Sequence, residues 1–229
     1  MTHNELTEFN WLMDVLRPLL GEDAEIVVLD DFSQPAMVDA IKASGARFYQ
    51  RALNKNFSAQ RNHLLSLCQG EFVFQLDPDE IPHPELLKSL PKILQYMRDN
   101  NMDACSMPRL NILVDGDKPV DARSLTLSDA DLANRKRDDM TRILRNGRGI
   151  RFVNHVHERL VGIVRACRLP QQLRFALLHC KTRSRQETQN SFYRGIHLRY
   201  LDKWKKSISK RLGLIKQPVW MDVNPDRLN

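Results

Sequence analysis

Apolar positions in the first half of the chain alternate between helical and strand-like spacing. Residues Glu5 to Leu20 place Leu6, Phe9, Leu12, Met13, Leu16 and Leu20 three and four apart, one face of an amphipathic helix, and Gly21 reads as its stop. The unbroken run Glu25 to Leu29 predicts a buried strand closing on Asp30 and Asp31. A helix from Pro35 to Ser44 ending at Gly45, a short strand Ala46 to Gln50 and a helix Ser58 to Cys68 follow. The next strand-like run, Glu71 to Leu76, ends in Asp77-Pro78-Asp79-Glu80 ahead of an expected turn over Ile81 to Pro84. Beyond it come a helix (Pro84 to Asn100), a strand (Asp103 to Arg109) and a polar stretch, Asp115 to Asp139, whose lack of period predicts a mobile loop. The second half carries strand-like runs at Thr141 to Leu144, Arg151 to Val156 and Leu173 to His179, then a basic helix from Gln186 to Leu212. Alternating helix and strand signals predict an α/β fold, a mostly parallel sheet with crossover helices.

With 229 residues and 42% hydrophobic content, the chain can bury one sizeable core, and a single domain is expected. A net charge of +7 favours an acidic partner (nucleotide, nucleic acid, anionic lipid or phosphorylated glycan) but equally serves solubility. Cys68, Cys105, Cys167 and Cys180 are widely separated, which points away from a zinc knuckle or disulfide framework and toward a reducing cytosol. No apolar run approaches the ~20 residues of a membrane span, and the start lacks a basic-then-apolar leader, so a soluble or peripheral cytoplasmic protein is expected.

Three carboxylates where an apolar run ends make little sense as core and good sense as a hard-cation site holding a diphosphate. A cap for the helix opening at Pro84 is the alternative for Asp77 and Asp79, and Glu80 either faces solvent or caps that helix. Asp30 and Asp31 end a strand where a carboxylate can accept from a base N–H or a ribose hydroxyl, or they form an ordinary side-chain-to-backbone turn. In His155-Val156-His157-Glu158, strand alternation predicts both histidines on one face and Glu158 on the other. In the tail, Tyr193, Ile196, Tyr200, Trp204 and Ile208 share one helical face, while Arg199, Lys203, Lys206 and Lys210 form a basic stripe. That stripe suits an anionic membrane or nucleic-acid phosphates, or is a solvated face.

These blocks in order (Ile26 to Ser33, Asn56 to Asn62, Phe74 to Pro82, Arg142 to Asn146, Ile150 to Phe152, Val156 to Glu158) resemble glycosyltransferase family 2, with its A-type nucleotide-sugar-binding fold. The segments Leu178 to Lys181, Gln186 and Gln189 to Tyr193 are similar to members found in bacteriophage genomes. The resemblance implies a nucleotide-sugar-binding half over 1–110, an acceptor-side half over 111–185 and a basic tail over 186–229. It implies Mn²⁺ or Mg²⁺ at Asp77 and Asp79 with His179 completing the coordination. Thr2, Asn4, Asp30, Asp31, Arg61 and Asp77 would bind a nucleotide-sugar donor, with UDP the expected nucleotide. Glu158, or alternatively His157, would be the general base of an inverting transfer. A cell-envelope glycan or lipopolysaccharide is the expected acceptor, a hydroxylated base in phage DNA the runner-up, and an inactive binding scaffold the reading from another class. One departure stands out: the family's buried first strand, which precedes a Pro-Thr-Tyr-Asn-Glu block, has no counterpart before Met1-Thr2-His3-Asn4-Glu5. It is expected to lie upstream of Met1, or to be replaced by a tail strand within Gln217 to Val223 or by a second subunit.

Overall fold

The computed structural model describes residues 1–134, 138–196 and 218–228. In chain order the elements are α1 (Leu6–Leu16), β1 (Val27–Asp30), α2 (Pro35–Ala43), β2 (Arg47–Gln50), α3 (Phe57–Leu67), β3 (Phe72–Phe74), β4 (Glu80–Pro82), α4 (Pro84–Asp99) and β5 (Ala104–Val114). They continue with α5 (Asp129–Ala133), β6 (Asp139–Arg145), β7 (Arg151–Val153), β8 (Arg159–Val161), β9 (Arg165–Arg168), β10 (Leu177–Thr182), α6 (183–196) and β11 (Val219–Asp222).

β5 is the hub of a mixed sheet ordered β11-β9-β5-β10-β4, with β6 joining β5 to β3. It runs parallel to β9 and β10 and antiparallel to β6. Both faces of β5 are covered, which is why its first residues are buried without alternation: Ala104 packs with Leu144 and Phe152, whereas Cys105 and Met107 face Leu86, Ile93 and Met97 of α4. β1 and β2 form a separate parallel ribbon. The apolar face of α1 joins the two sheets, since Phe9, Leu12, Met13 and Leu16 share a core with Val28 of the ribbon and with Ile81, Leu110, Ile112 and Leu178 of the larger sheet. At the ribbon's edge Thr2 makes a single parallel bridge, its N–H donating to Leu29 O (3.0 Å) and its carbonyl accepting from Asp31 N (2.9 Å).

Several expectations are corrected. The tail strand forms as β11, but it pairs with β9 at an edge of the larger sheet and not with the separate β1–β2 ribbon. Residues expected to turn after Asp79 instead form β4, antiparallel to β10 with Glu80 opposite His179. The stretch expected to be an irregular loop contains a 3₁₀ turn at Ala122–Ser124 and the helix α5, opened by a reciprocal Ser128–Asp131 capping box; Ala122 and Leu132 are buried beneath it. Residues 154–157 bend between β7 and β8, with positive φ at Asn154 (77°) and His157 (53°), so the strand alternation predicted for His155 and His157 does not hold. In the tail, Ile196 is buried and Tyr193 half-buried. Tyr200, Trp204, Ile208 and the stripe Arg199, Lys203, Lys206 and Lys210 lie outside the described residues.

Candidate active site

Asp77 sits in the tight turn between β3 and β4. Its carboxylate accepts from Arg61 Nη2 of α3 (3.1 and 3.2 Å) and from Arg142 Nη2 of β6 (3.0 Å). Burial opposes its ionisation, but the two guanidinium groups win and hold its pKa well below the usual carboxylate range. Arg61 reaches further: its Nε donates to Glu158 Oε1 (3.0 Å), and its guanidinium lies 5.6 Å from the centre of the Phe152 ring. α3 places it there because Asn56 caps the helix, accepting from Ala59 N (3.0 Å), and because Asn62 on the next position bonds both N–H and C=O of Phe152. One arginine therefore ties Asp77 to the residue expected to act as base, and its positive form is reinforced by both carboxylates.

Behind Asp77 is a group that sequence reasoning missed. Arg142 is buried and also pairs with Glu80, which in turn accepts from Arg109 Nη1 (3.2 Å). Glu80 neither faces solvent nor caps α4; it is fully buried as the counter-ion of Arg142, and His83 is the cap, accepting from Glu85 N (3.2 Å). The only sequence signal for Arg142 was its membership of the Arg142 to Asn146 block. Arg142 Nε and the side-chain amide of neighbouring Gln75 are buried with no hydrogen-bond partner among the described residues.

Asp79 faces another direction. Its Oδ2 lies 3.6 Å from His179 Nε2, 3.2 Å from Lys181 Nζ and 3.8 Å from Arg185 Nη2. Burial raises its pKa, but His179 and Lys181 overcome this and the carboxylate is held well below its ordinary value. His179 is oriented from behind: Nδ1 lies 2.6 Å from Asn111 Oδ1, and the Asn111 amide is itself fixed by donating Nδ2–H to Asp138 Oδ2 (2.7 Å). With the amide oxygen facing the ring, Nδ1–H donates to Asn111, which turns Nε2 toward Asp79.

Among the described residues no group of three or more His, Cys, Asp or Glu side chains could hold a metal ion. Asp79 and His179 nevertheless fit the protein's share of a Mg²⁺ or Mn²⁺ site, which needs one or two side-chain ligands when substrate phosphates and water supply the rest. Asp77 is committed to its arginines.

Thr2, Asn4, Asp30 and Asp31 lie together at the ribbon's end. Asp30 is fully buried and accepts from Ser33 N (2.9 Å), Ser33 Oγ (2.5 Å) and Gln50 Nε2 (3.1 Å), which is the turn alternative. Asp31 Oδ1 accepts from Leu53 N (2.9 Å), yet Asp31 stays partly exposed. Asn4, at φ 55°, bridges to α2 by accepting from Gln34 N (2.8 Å) and donating its own N–H to Ser33 Oγ (2.8 Å). His157 is exposed and packs edge-on against Tyr193 of α6, 5.9 Å between centres.

The glycosyl transferase family 2 model matches residues 1–157, more than half of the chain, and the chain belongs to that family. Among solved structures it is similar to glucosyl-3-phosphoglycerate synthase from Mycobacterium tuberculosis, crystallised with Mn²⁺ and uridine-diphosphate-glucose. The two are 22% identical at a TM-score of 0.39, over 47% of this chain and 41% of that one. It is also similar to S. aureus TarS, 20% identical at a TM-score of 0.37 over 51% of this chain and 21% of that one. The chain thus spans less than half the length of either. No helix among the described residues is long and apolar enough to cross a membrane.

Proposed function

We propose that this chain transfers a sugar from a nucleoside-diphosphate donor, UDP being the expected nucleotide, to a hydroxyl of a cell-envelope glycan, with inversion at the anomeric carbon. The observation that carries this reading is the Asp79–His179 pair, set at 3.6 Å and backed by Asn111, beside an Asp77 that Arg61 links to Glu158. When bound, a divalent cation at Asp79 and His179 supplies Lewis-acid charge to the leaving diphosphate. Asp77, kept anionic by two arginines, accepts from donor hydroxyls, and Arg61 adds positive charge on the donor side. Glu158, paired with Arg61, takes the proton from the acceptor hydroxyl as that oxygen bonds the anomeric carbon; the carbon–oxygen bond to the diphosphate breaks, its electron pair leaving with the nucleotide. Residues 1–110 form the donor side and 111–185 the acceptor side within one domain, in a cytoplasmic setting.

Isothermal titration of UDP in the presence of Mn²⁺ tests the reading. The expected result is metal-dependent heat that disappears in Asp79→Ala. Heat that is absent in the parent protein, or that persists unchanged in the variant, overturns it.

A further inference from the structure

Helix α6 spans the candidate centre. Near its start Arg185 Nη2 lies 3.8 Å from Asp79, and about two turns later Tyr193 packs beside the Arg61–Glu158 pair. Arg185, Gln189, Tyr193 and Ile196, spaced three and four apart, share this inward face; Gln189 accepts from Lys181 Nζ (2.9 Å) and Ile196 is buried. The Tyr193 ring meets Phe57 (5.6 Å between centres, 78° between planes), His157 (5.9 Å) and Phe192 (6.2 Å), the tilted and edge-on arrangements that aromatic rings favour. Phe57 stands one turn before Arg61 on α3, and His157 directly precedes Glu158, so the clamp fixes the ring beside both members of that pair.

A half-buried tyrosine hydroxyl ordinarily has a hydrogen-bond partner, but that of Tyr193 has none among the described residues. Burial first, then Glu158 and Asp77, push its ionisation above the ordinary range against the pull of Arg61, so the phenol keeps its proton at neutral pH. It is therefore a donor whose acceptor is still to be supplied. Glu158 and Asp77 are already engaged by Arg61, which leaves a ligand to supply it. On the transferase reading, on which this inference rests, the cation sits at Asp79 and His179 and the base at Glu158, and the bond that breaks lies between them, beneath the face of α6 that carries Tyr193. We propose that Tyr193 is a further catalytic residue, its hydroxyl donating to a phosphoryl oxygen of the departing diphosphate. The electron pair of the broken carbon–oxygen bond passes to that diphosphate, and a neutral O–H offsets the charge that develops there without adding charge of its own. The phenol keeps its proton throughout, and no covalent bond to it forms or breaks.

The test uses the full chain with Tyr193→Phe, which keeps the ring and removes only the oxygen, checked for folding by thermal melting. Affinities with Mn²⁺ present are measured by calorimetry for UDP and inorganic pyrophosphate, and by saturation-transfer NMR for uridine, which carries no phosphate. Losing a hydrogen bond to a charged oxygen should weaken UDP and pyrophosphate about tenfold and leave uridine within about twofold of the parent. A folded variant that binds UDP and pyrophosphate as the parent does overturns the proposal and leaves the transferase reading standing. Equal losses for all three ligands also overturn it, since they mark a disturbed site and not one lost contact. A parent that binds pyrophosphate as tightly as UDP, with the tenfold loss in Tyr193→Phe, supports the Tyr193 contact while sinking the nucleotide donor. A parent that binds none of the three overturns both.

Discussion

Arg142 is the residue whose removal should be felt most, because it is the buried hinge between Asp77 and Glu80. Its side chain is 5% exposed and that of Glu80 is 1% exposed. In Arg142→Met the volume is roughly kept, but Glu80 is left with Arg109 alone and Asp77 with Arg61 alone. Breaking a buried pair by removing one partner costs about 3–5 kcal/mol, because a carboxylate then stays desolvated with part of its compensation gone. For a chain of this size that is roughly 6 to 20 °C in Tm. Urea unfolding followed by circular dichroism measures the loss, and the double variant Arg142→Met with Glu80→Gln tests its cause. Removing the stranded charge should return at least half of the lost stability, a coupling that a double-mutant cycle reads directly. A single variant that loses less than about 1 kcal/mol, or a double variant that is simply additive, would refute the argument that charge compensation at Glu80 drives the effect.

Three further outcomes follow from the geometry. Asn111→Leu removes the group that fixes the His179 ring, and Mn²⁺ affinity measured by titration with UDP present should fall about 10- to 100-fold while the melting curve stays cooperative. Glu5 has its pKa pushed up from 4.5 to about 7, first by burial and then by Asp79, against the opposing pull of Arg185. The folded state therefore holds this proton more tightly than the unfolded chain, and the stability it confers below pH 4.5 is lost as pH rises toward 7, by about 3 kcal/mol; Glu5→Gln should match the parent at low pH and exceed it at pH 8, and a difference independent of pH would contradict this. Gly162 has φ +89°, and a Cβ there would meet Gly149 O at 2.8 Å, so Gly162→Ala should cost about 1–3 kcal/mol in urea melts and loosen the β7–β8 hairpin that carries Glu158.

What the amino-acid order made legible were features encoded within a few residues. The helical spacing of Leu6 to Leu16, the Pro starts of α2 and α4, and the acidic end of the Glu71 to Leu76 run each depend on neighbours in sequence, so α1, α2, α3, α4 and β1 emerge close to where they were expected. The family's blocks were legible for the same reason. β8 and β9 were not, because three or four residues carry too little period to separate a strand from a turn. The His155 to Glu158 segment misled because two left-handed residues interrupt the alternation that an extended run would have had.

The sequence by itself determined the α/β class, the family and which acidic and imidazole groups are available. Only the tertiary structure decided how they divide: Asp77 to Arg61 and Arg142, Asp79 to His179 and Lys181, Glu80 to the interior, Asp30 to a turn. The physical reason is that a charge's role is set by the opposite charge it meets in a low-dielectric site, and here those partners lie tens of residues away, Arg142 being 65 positions from Asp77 and Glu158 being 97 from Arg61. Local patterning specifies elements, but partners brought together by β5 and β6 specify chemistry.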